Sequence, residues 1–210
     1  MNGYPLNINL QGKNVVVAGG GPVATRRLEA LLDCGARITV ICPQASDRIR
    51  KWAGEQAIIW KKRCWERTDS EAAFLILAAT GSEMVNAAIA ASAQPNQLIC
   101  TAGHAAGNCS VPAVIRRGRL TVTIATGGAS PAYARELRDQ LAQTLDSDIE
   151  GYLDFLASFR KQLLSKELNR ELRAACLKEV LRPEYRDRQR QVRLLKALDQ
   201  WIKQQAAAGR

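Results

Sequence analysis

The chain lacks any apolar run near the roughly 18 residues that a membrane span requires. Its opening stretch, MNGYPLNINLQGKN, has no basic segment followed by an apolar core, so no secretory leader is expected there. No C-x-x-C pair occurs among the cysteines Cys34, Cys42, Cys64, Cys100, Cys109 and Cys176, and a chain of 210 residues needs no disulfide framework. No internal repeat or low-complexity tract interrupts it. These absences argue against a membrane-spanning, disulfide-stapled or repeat protein. They set the expectation of a cytoplasmic chain whose cysteines are free thiols, mostly packed as small hydrophobes.

What is present is ordinary globular composition, 47% hydrophobic and 24% charged, which offers enough apolar surface to offset chain entropy. The net charge of +10 is unevenly spread. Residues 1–150 carry 16 basic and 13 acidic side chains, whereas residues 151–210 carry 14 and 7. Such an excess suits a polyanionic partner, whether nucleic acid, an anionic lipid surface or a small molecule bearing several carboxylates or phosphates. It equally suits a solvated helical face.

NVVVAG (14–19) is a β-branched run ending in glycines, which predicts a buried strand. A helix follows, with Leu28, Leu31 and Leu32 at helical spacing and Gly35 at its end. Further strands are expected at 36–43, 57–60, 73–80 and 97–103, with helices over roughly 44–54 and 82–94. Strands alternating with helices imply a parallel sheet. Beyond residue 112, VPAVIRRG reads as a short helix, RLTVTIAT (119–126) as a strand and 130–145 as a helix with Ser130 as N-cap. From 147 onward only amphipathic helices remain, interrupted at Pro183. The expected organisation is therefore α/β: a Rossmann-like parallel-sheet domain of nucleotide-binding type (1–112), a small α+β segment (113–146) and a helical C-terminal domain (147–210).

Gly19, Gly21 and Ala24 fit G-x-G-x-x-G/A between the first strand and its helix. The first glycine permits a tight turn, the second lets the backbone approach a pyrophosphate, and the small third residue allows close helix–strand packing. The phosphates would sit on the N–H groups at the helix N-terminus. The acidic residue that usually holds the ribose is missing, because the end of the second strand reads Val40-Ile41-Cys42-Pro43-Gln44. The motif therefore leaves NAD and NADP both open, with Arg48 and Arg50 as candidates for a 2′-phosphate or as plain surface charges.

YPLNINLQGKNVVVAGGGPVATRRLEALLDCGARITVICP, LAATGSEMVN and VPAVIRRGRLTVTIATGGASPAYARELRDQL together resemble the precorrin-2 dehydrogenase / sirohydrochlorin ferrochelatase family, the N-terminal module of siroheme synthase. The resemblance is close over residues 4–145. Its signature is GGGPVA followed about a hundred residues later by TGGASPAYAR. It implies NAD-dependent oxidation of precorrin-2 to sirohydrochlorin, insertion of ferrous iron (Fe2+) as substrate metal in many members, and a homodimer built on the central segment. The carboxylate-ringed tetrapyrrole would account for the basic tail. No nucleic-acid or membrane partner is expected.

The same resemblance implies cofactor contacts at Gly19, Gly21, Pro22, Val23, Pro43, Gln44, Ala79 and Thr80. It places the family's catalytic aspartate, in a segment commonly reading N-V-V-D, against Thr101-Ala102-Gly103-His104. The only histidine of the chain thus stands in that register, where imidazole can serve as general base near neutral pH. A solvent-facing loop histidine and a Cys100–His104–Cys109 metal site are the other readings. For the substrate carboxylates the candidates are Arg116, Thr126, Gly127, Gly128 and Ser130, with Arg117, Arg119 and Arg135 nearby. The 126–130 turn reads either as a nest of backbone N–H groups or as a plain turn with an N-cap. The alternative function is a non-catalytic NAD(H)-binding sensor, because both the ribose acid and the family aspartate are absent.

Overall fold

A computed structural model describes residues 3–103 and 106–208 and divides the chain into two compact units, residues 1–111 and 112–210. The expected segments 113–146 and 147–210 both fall in the second unit.

In the first unit, five parallel strands form one sheet in the order β3-β2-β1-β4-β5. They are β1 (Asn14–Ala18), β2 (Arg37–Ile41), β3 (Ile59–Lys61), β4 (Leu75–Ala78) and β5 (Leu98–Thr101). Helices α1 (Pro22–Leu32), α2 (Asp47–Gly54) and α3 (Glu83–Ser92) make three of the connections, and a 3-10 turn at Arg67–Ser70 lies on the fourth. β1 is buried on both faces, as its unbroken apolar run requires. Val15 and Val17 point to a core shared with Leu28 of α1 and Ile49 of α2. Val16 and Ala18 point to the opposite core with Ile76 and Ile89. The sheet thus sorts alternate residues of one strand into two layers. Strand order reverses between β1 and β4, and the crevice beyond the strand ends at such a point is where open α/β sheets bind ligands.

The second unit opens with a hairpin. VPAVIRRG is not a helix: Ala113–Arg117 is strand β6, paired antiparallel with β7 (Leu120–Ile124). The reason is local. Gly118 takes a positive φ of 53° at the first position of a two-residue turn, which joins two β-branched runs into a hairpin. Helix α4 (Pro131–Thr144) packs on this hairpin, and Ser130 caps it as expected by accepting the Tyr133 N–H at 3.1 Å.

Four further helices complete the second unit: α5 (Ile149–Leu164), α6 (Arg170–Glu179), α7 (Arg188–Lys196) and α8 (Leu198–Ala208). Their core is aromatic: Phe159 meets Trp201 edge-on at 5.6 Å. The buried polar tips are satisfied, since Tyr152 donates to the Val180 carbonyl (3.0 Å) and the Trp201 indole N–H reaches the Tyr185 hydroxyl (3.1 Å). No helix among the described residues is long and apolar enough to cross a membrane.

Candidate functional site

The site begins with the bend after β1. Gly19 has φ +125°, and a Cβ there would lie 2.2 Å from the Ala79 carbonyl oxygen. Gly20 is equally constrained, because its Cβ would meet the Gln44 carbonyl oxygen at 2.2 Å and Cys42 Sγ at 2.7 Å. Both glycines are required by loops pressed against the bend. Gly21 differs: it is the N-cap of α1 with φ −86°, and nothing lies within 4 Å of where its Cβ would stand.

No side chain caps α1, and no acidic residue occupies its first turn. The first-turn N–H groups of a helix have no intrahelical partner, so the helix presents open donors and the positive end of its dipole beside Gly21. Pro22 at the first position removes one donor at no cost to the helix.

Hydrogen bonds hold the surrounding loops to this bend. The Gly19 N–H donates to the Ile41 carbonyl (3.0 Å), and the Ser46 N–H to the Gly20 carbonyl (3.0 Å). Thr25 Oγ1 and Ser46 Oγ lie 2.8 Å apart. On the other flank, the buried carboxamide of Asn86 accepts the Thr80 N–H at 3.0 Å and lies 2.8 Å from the Thr80 hydroxyl. Its amide donates to the Thr80 carbonyl (3.2 Å) and to the Ala102 carbonyl (3.5 Å). One side chain thus ties the loop after β4 to the end of β5.

Between these loops lies a pocket of about 630 Å³, within the range of small-molecule sites. Its wall contains all eight positions expected to meet the cofactor: Gly19, Gly21, Pro22, Val23, Pro43, Gln44, Ala79 and Thr80. Sequence reasoning did not anticipate Cys64, Trp65, Ser82 and Val85, which join them. Trp65 carries a buried indole N–H without a hydrogen-bond partner among the described residues. Nothing in the sequence marked it, because the connection from β3 to β4 has no motif.

The residues present fit a dinucleotide. The open backbone at Gly21, the uncapped helix end and the apolar walls match a diphosphate flanked by flat rings. The two arginines considered for a 2′-phosphate are engaged elsewhere. Arg48 pairs with Glu29 and lies over the Trp52 ring, and Arg50 binds Asp47 and the Ala45 carbonyl. Neither borders the pocket.

His104 lies outside the described residues, and with it the third member of the Cys100–His104–Cys109 metal reading. Among the described residues no group of three His, Cys, Asp or Glu side chains could hold a metal ion.

The substrate candidates all belong to the second unit. Thr126 and Ser130 close one turn, with the Ser130 N–H donating to Thr126 Oγ1 (3.2 Å), and Gly127 and Gly128 carry φ of 62° and 89° between them. Arg116 stands apart from that turn. It pairs with Thr121 near the hairpin bend, whereas residues 126–130 follow the opposite end of β7. Arg119 pairs with Asp154 (2.8 Å), Arg117 donates to the Ala142 carbonyl (3.1 Å) and Arg135 to the Pro131 carbonyl (3.2 Å). Part of the tail's positive charge is likewise occupied: Arg186 lies 4.0 Å from the Tyr152 ring centre, and Arg190 pairs with Glu184 at 3.0 Å.

A parallel sheet with this glycine bend at its switch point defines a Rossmann-type nucleotide-binding protein. Comparison agrees, since residues 6–113 match the family described as "Putative NAD(P)-binding" and residues 117–144 the family "Sirohaem biosynthesis protein central". The chain belongs to the precorrin-2 dehydrogenase family. It is 40% identical over 159 residues to the precorrin-2 dehydrogenase of Bacillus subtilis (strain 168), which covers 75% of this chain and 98% of that protein. Against the precorrin-2 dehydrogenase of Priestia megaterium the identity is 31% over 184 residues, 87% of this chain and 91% of that protein. The solved structure of SirC, precorrin-2 dehydrogenase, superposes with a TM-score of 0.84 at 30% identity, covering 94% of this chain and 99% of that one. The siroheme synthase of Xylella fastidiosa (strain M12) is 37% identical over 166 residues, which span 77% of this chain and only 34% of that longer protein.

Proposed function

We propose that this chain is an NAD-dependent dehydrogenase that oxidises precorrin-2 to sirohydrochlorin in siroheme biosynthesis. The observation that carries the reading is the meeting of the Gly19–Val23 bend, Pro43–Gln44 and Ala79–Thr80 around one pocket, in a chain 40% identical to a precorrin-2 dehydrogenase. When bound, NAD supplies the oxidised nicotinamide that takes up the hydride. The chain's own residues do the rest. The N–H groups at the start of α1 receive the diphosphate beside Gly21, and Asn86 keeps Thr80 and the end of β5 in place. His104 accepts the proton lost by the ring at an imidazole nitrogen, the role implied by its register with the family aspartate. Arg116 and the turn Thr126, Gly127, Gly128, Ser130 meet the substrate carboxylates, with backbone N–H groups and a guanidinium as the donors.

We assign the working form as a cytoplasmic homodimer. The cysteines are all unpaired thiols, which suits a reducing compartment. An isolated two-stranded sheet such as β6–β7 leaves two edges open, and a second copy can supply further pairing.

The test is anaerobic incubation with precorrin-2 and NAD, followed by NADH and sirohydrochlorin absorbance, with ferrous iron added afterwards as the substrate of any chelation step. Turnover is expected, and His104→Ala should slow it with NAD affinity retained. NAD binding without turnover would favour the sensor reading.

A further inference from the structure

Cys100, on the terminal sheet strand β5, and Cys109 form a thiol pair packed into the core of the first unit, outside the dinucleotide pocket. Three features of the segment hold them together. The N–H groups of Asn108 (3.0 Å) and Cys109 (3.2 Å) both donate to the Ile99 carbonyl. The Asn108 side chain accepts the Ile99 N–H (2.8 Å) and donates to the Gln97 carbonyl (2.8 Å), so it clamps the returning segment along β5. Gly107 makes the close approach feasible, since a Cβ there would lie 2.6 Å from the Ile99 oxygen.

The result places the Cys109 thiol in hydrogen-bond contact with Cys100. Cys100 is buried and Cys109 half-buried. The contact with Cys109 is the largest influence on Cys100 and holds its thiol below the ordinary range, against the opposing effect of burial. Arg27 and the Val111 backbone act in the same direction as Cys109. The Arg27 guanidinium is anchored there by the Cys100 (3.4 Å) and Thr101 (3.2 Å) carbonyls. Reactive cysteines need an electropositive and partly exposed setting; the donating thiol and the fixed cation supply the first, and the half-buried Cys109 is the partly exposed member of the pair.

We propose that Cys100 and Cys109 form a reversible redox site, closing to an intrachain disulfide when a hydroperoxide reaches the pair. The Cys100 thiolate attacks one peroxide oxygen; the O–O bond breaks, and the departing hydroxide takes a proton to leave as water. Cys109 then gives up its proton and attacks the resulting Cys100 sulfenic acid. The S–S bond forms, the S–O bond breaks, and a second water departs. Two thiols lose two electrons together, and the peroxide is reduced to two waters. Closure makes a covalent ring through the chain from residue 100 to residue 109.

The test uses the full chain treated with hydrogen peroxide, then unfolded in guanidinium chloride so that every free thiol is reachable, alkylated with N-ethylmaleimide and digested with trypsin. Cys100 and Cys109 share one tryptic peptide, residues 68–116, with no other cysteine. That peptide should escape alkylation, lose the mass of two hydrogens, and recover both alkylation sites after dithiothreitol. In Cys109→Ser the same peptide should instead carry a dimedone-trapped sulfenic acid at Cys100. The proposal is overturned if both thiols of the wild-type peptide stay alkylatable while exposed Cys64 is oxidised, or if Cys100 is cross-linked to any other cysteine. The wild-type peptide decides by itself should the serine variant fail to fold. The readout is chemical and does not depend on turnover of precorrin-2.

Discussion

The carboxamide of Asn86 accepts the main-chain N–H of Thr80 at 3.0 Å while its amide donates back to the Thr80 carbonyl at 3.2 Å. A single buried side chain therefore satisfies both backbone groups of one pocket residue. Removing it as Asn86→Ala deprives those part-buried groups of their partner, at a cost of about 1 kcal/mol. Denaturant melts should show that loss, and the KM for NAD should rise more than kcat falls, because Thr80 borders the pocket. An unchanged KM would detach Asn86 from the cofactor site.

Gly19 and Gly21 belong to one motif but should respond differently to the same methyl group. Gly19→Ala sets a Cβ 2.2 Å from the Ala79 oxygen at φ +125°, so the bend or the loop after β4 must shift and the chain should lose stability. Gly21→Ala meets open space at φ −86° and should fold normally. Its methyl enters the room left for the diphosphate, so calorimetry should find NAD binding weakened at least tenfold, about 1.4 kcal/mol. Equal behaviour of the two variants in both assays would refute the division.

Cofactor choice follows from what borders Pro43 and Gln44. Arg48 and Arg50 are spent on Glu29, Asp47 and the Ala45 carbonyl, leaving no arginine in the pocket wall for a 2′-phosphate. NAD should be preferred to NADP in kcat/KM. A preference for NADP would show that one of these arginines changes partner.

Asp69 links the segment after β3 to the sheet. Burial would push its carboxyl upward, but hydrogen bonds from Arg63, the Glu66 backbone and Lys61, with the nearby Lys61 charge, outweigh it and hold the pKa at about 2, below its ordinary 3.8. A depressed acid stabilises the fold above its unfolded pKa and loses that contribution as pH falls through the folded one. Asp69→Asn should thus be less stable than the parent at neutral pH, and the gap should close as pH falls from about 4 to about 2. Urea melts across that range provide the check; a gap constant with pH would refute it.

Much of this molecule was readable along the chain. The parallel sheet followed from β-branched runs alternating with helical spacing, and the bend from Gly19, Gly21 and Ala24 in strand-to-helix context. The resemblance supplied eight positions that the fold gathers around one pocket. The second strand of the hairpin is legible in RLTVTIAT, but the first is not, because Val114 and Ile115 beside two arginines satisfy a helix pattern as well as a strand, and only pairing with Val122 and Thr123 resolves them. Asn86 left one faint signal, a polar residue on the buried face of α3 beside Ile89.

Local patterning was enough for the five strands of the parallel sheet, for most of the helices and for the place of the phosphate-sized bend, because those outcomes depend on neighbours a few residues away. That Gly20 is as constrained as Gly19, that Cys64 and Trp65 border the pocket, and that Cys109 returns to Cys100 emerges from the folded chain alone. Each of those depends on contacts between segments distant along the chain or on an irregular loop path, which burial of the sheet's two faces settles and no periodicity encodes.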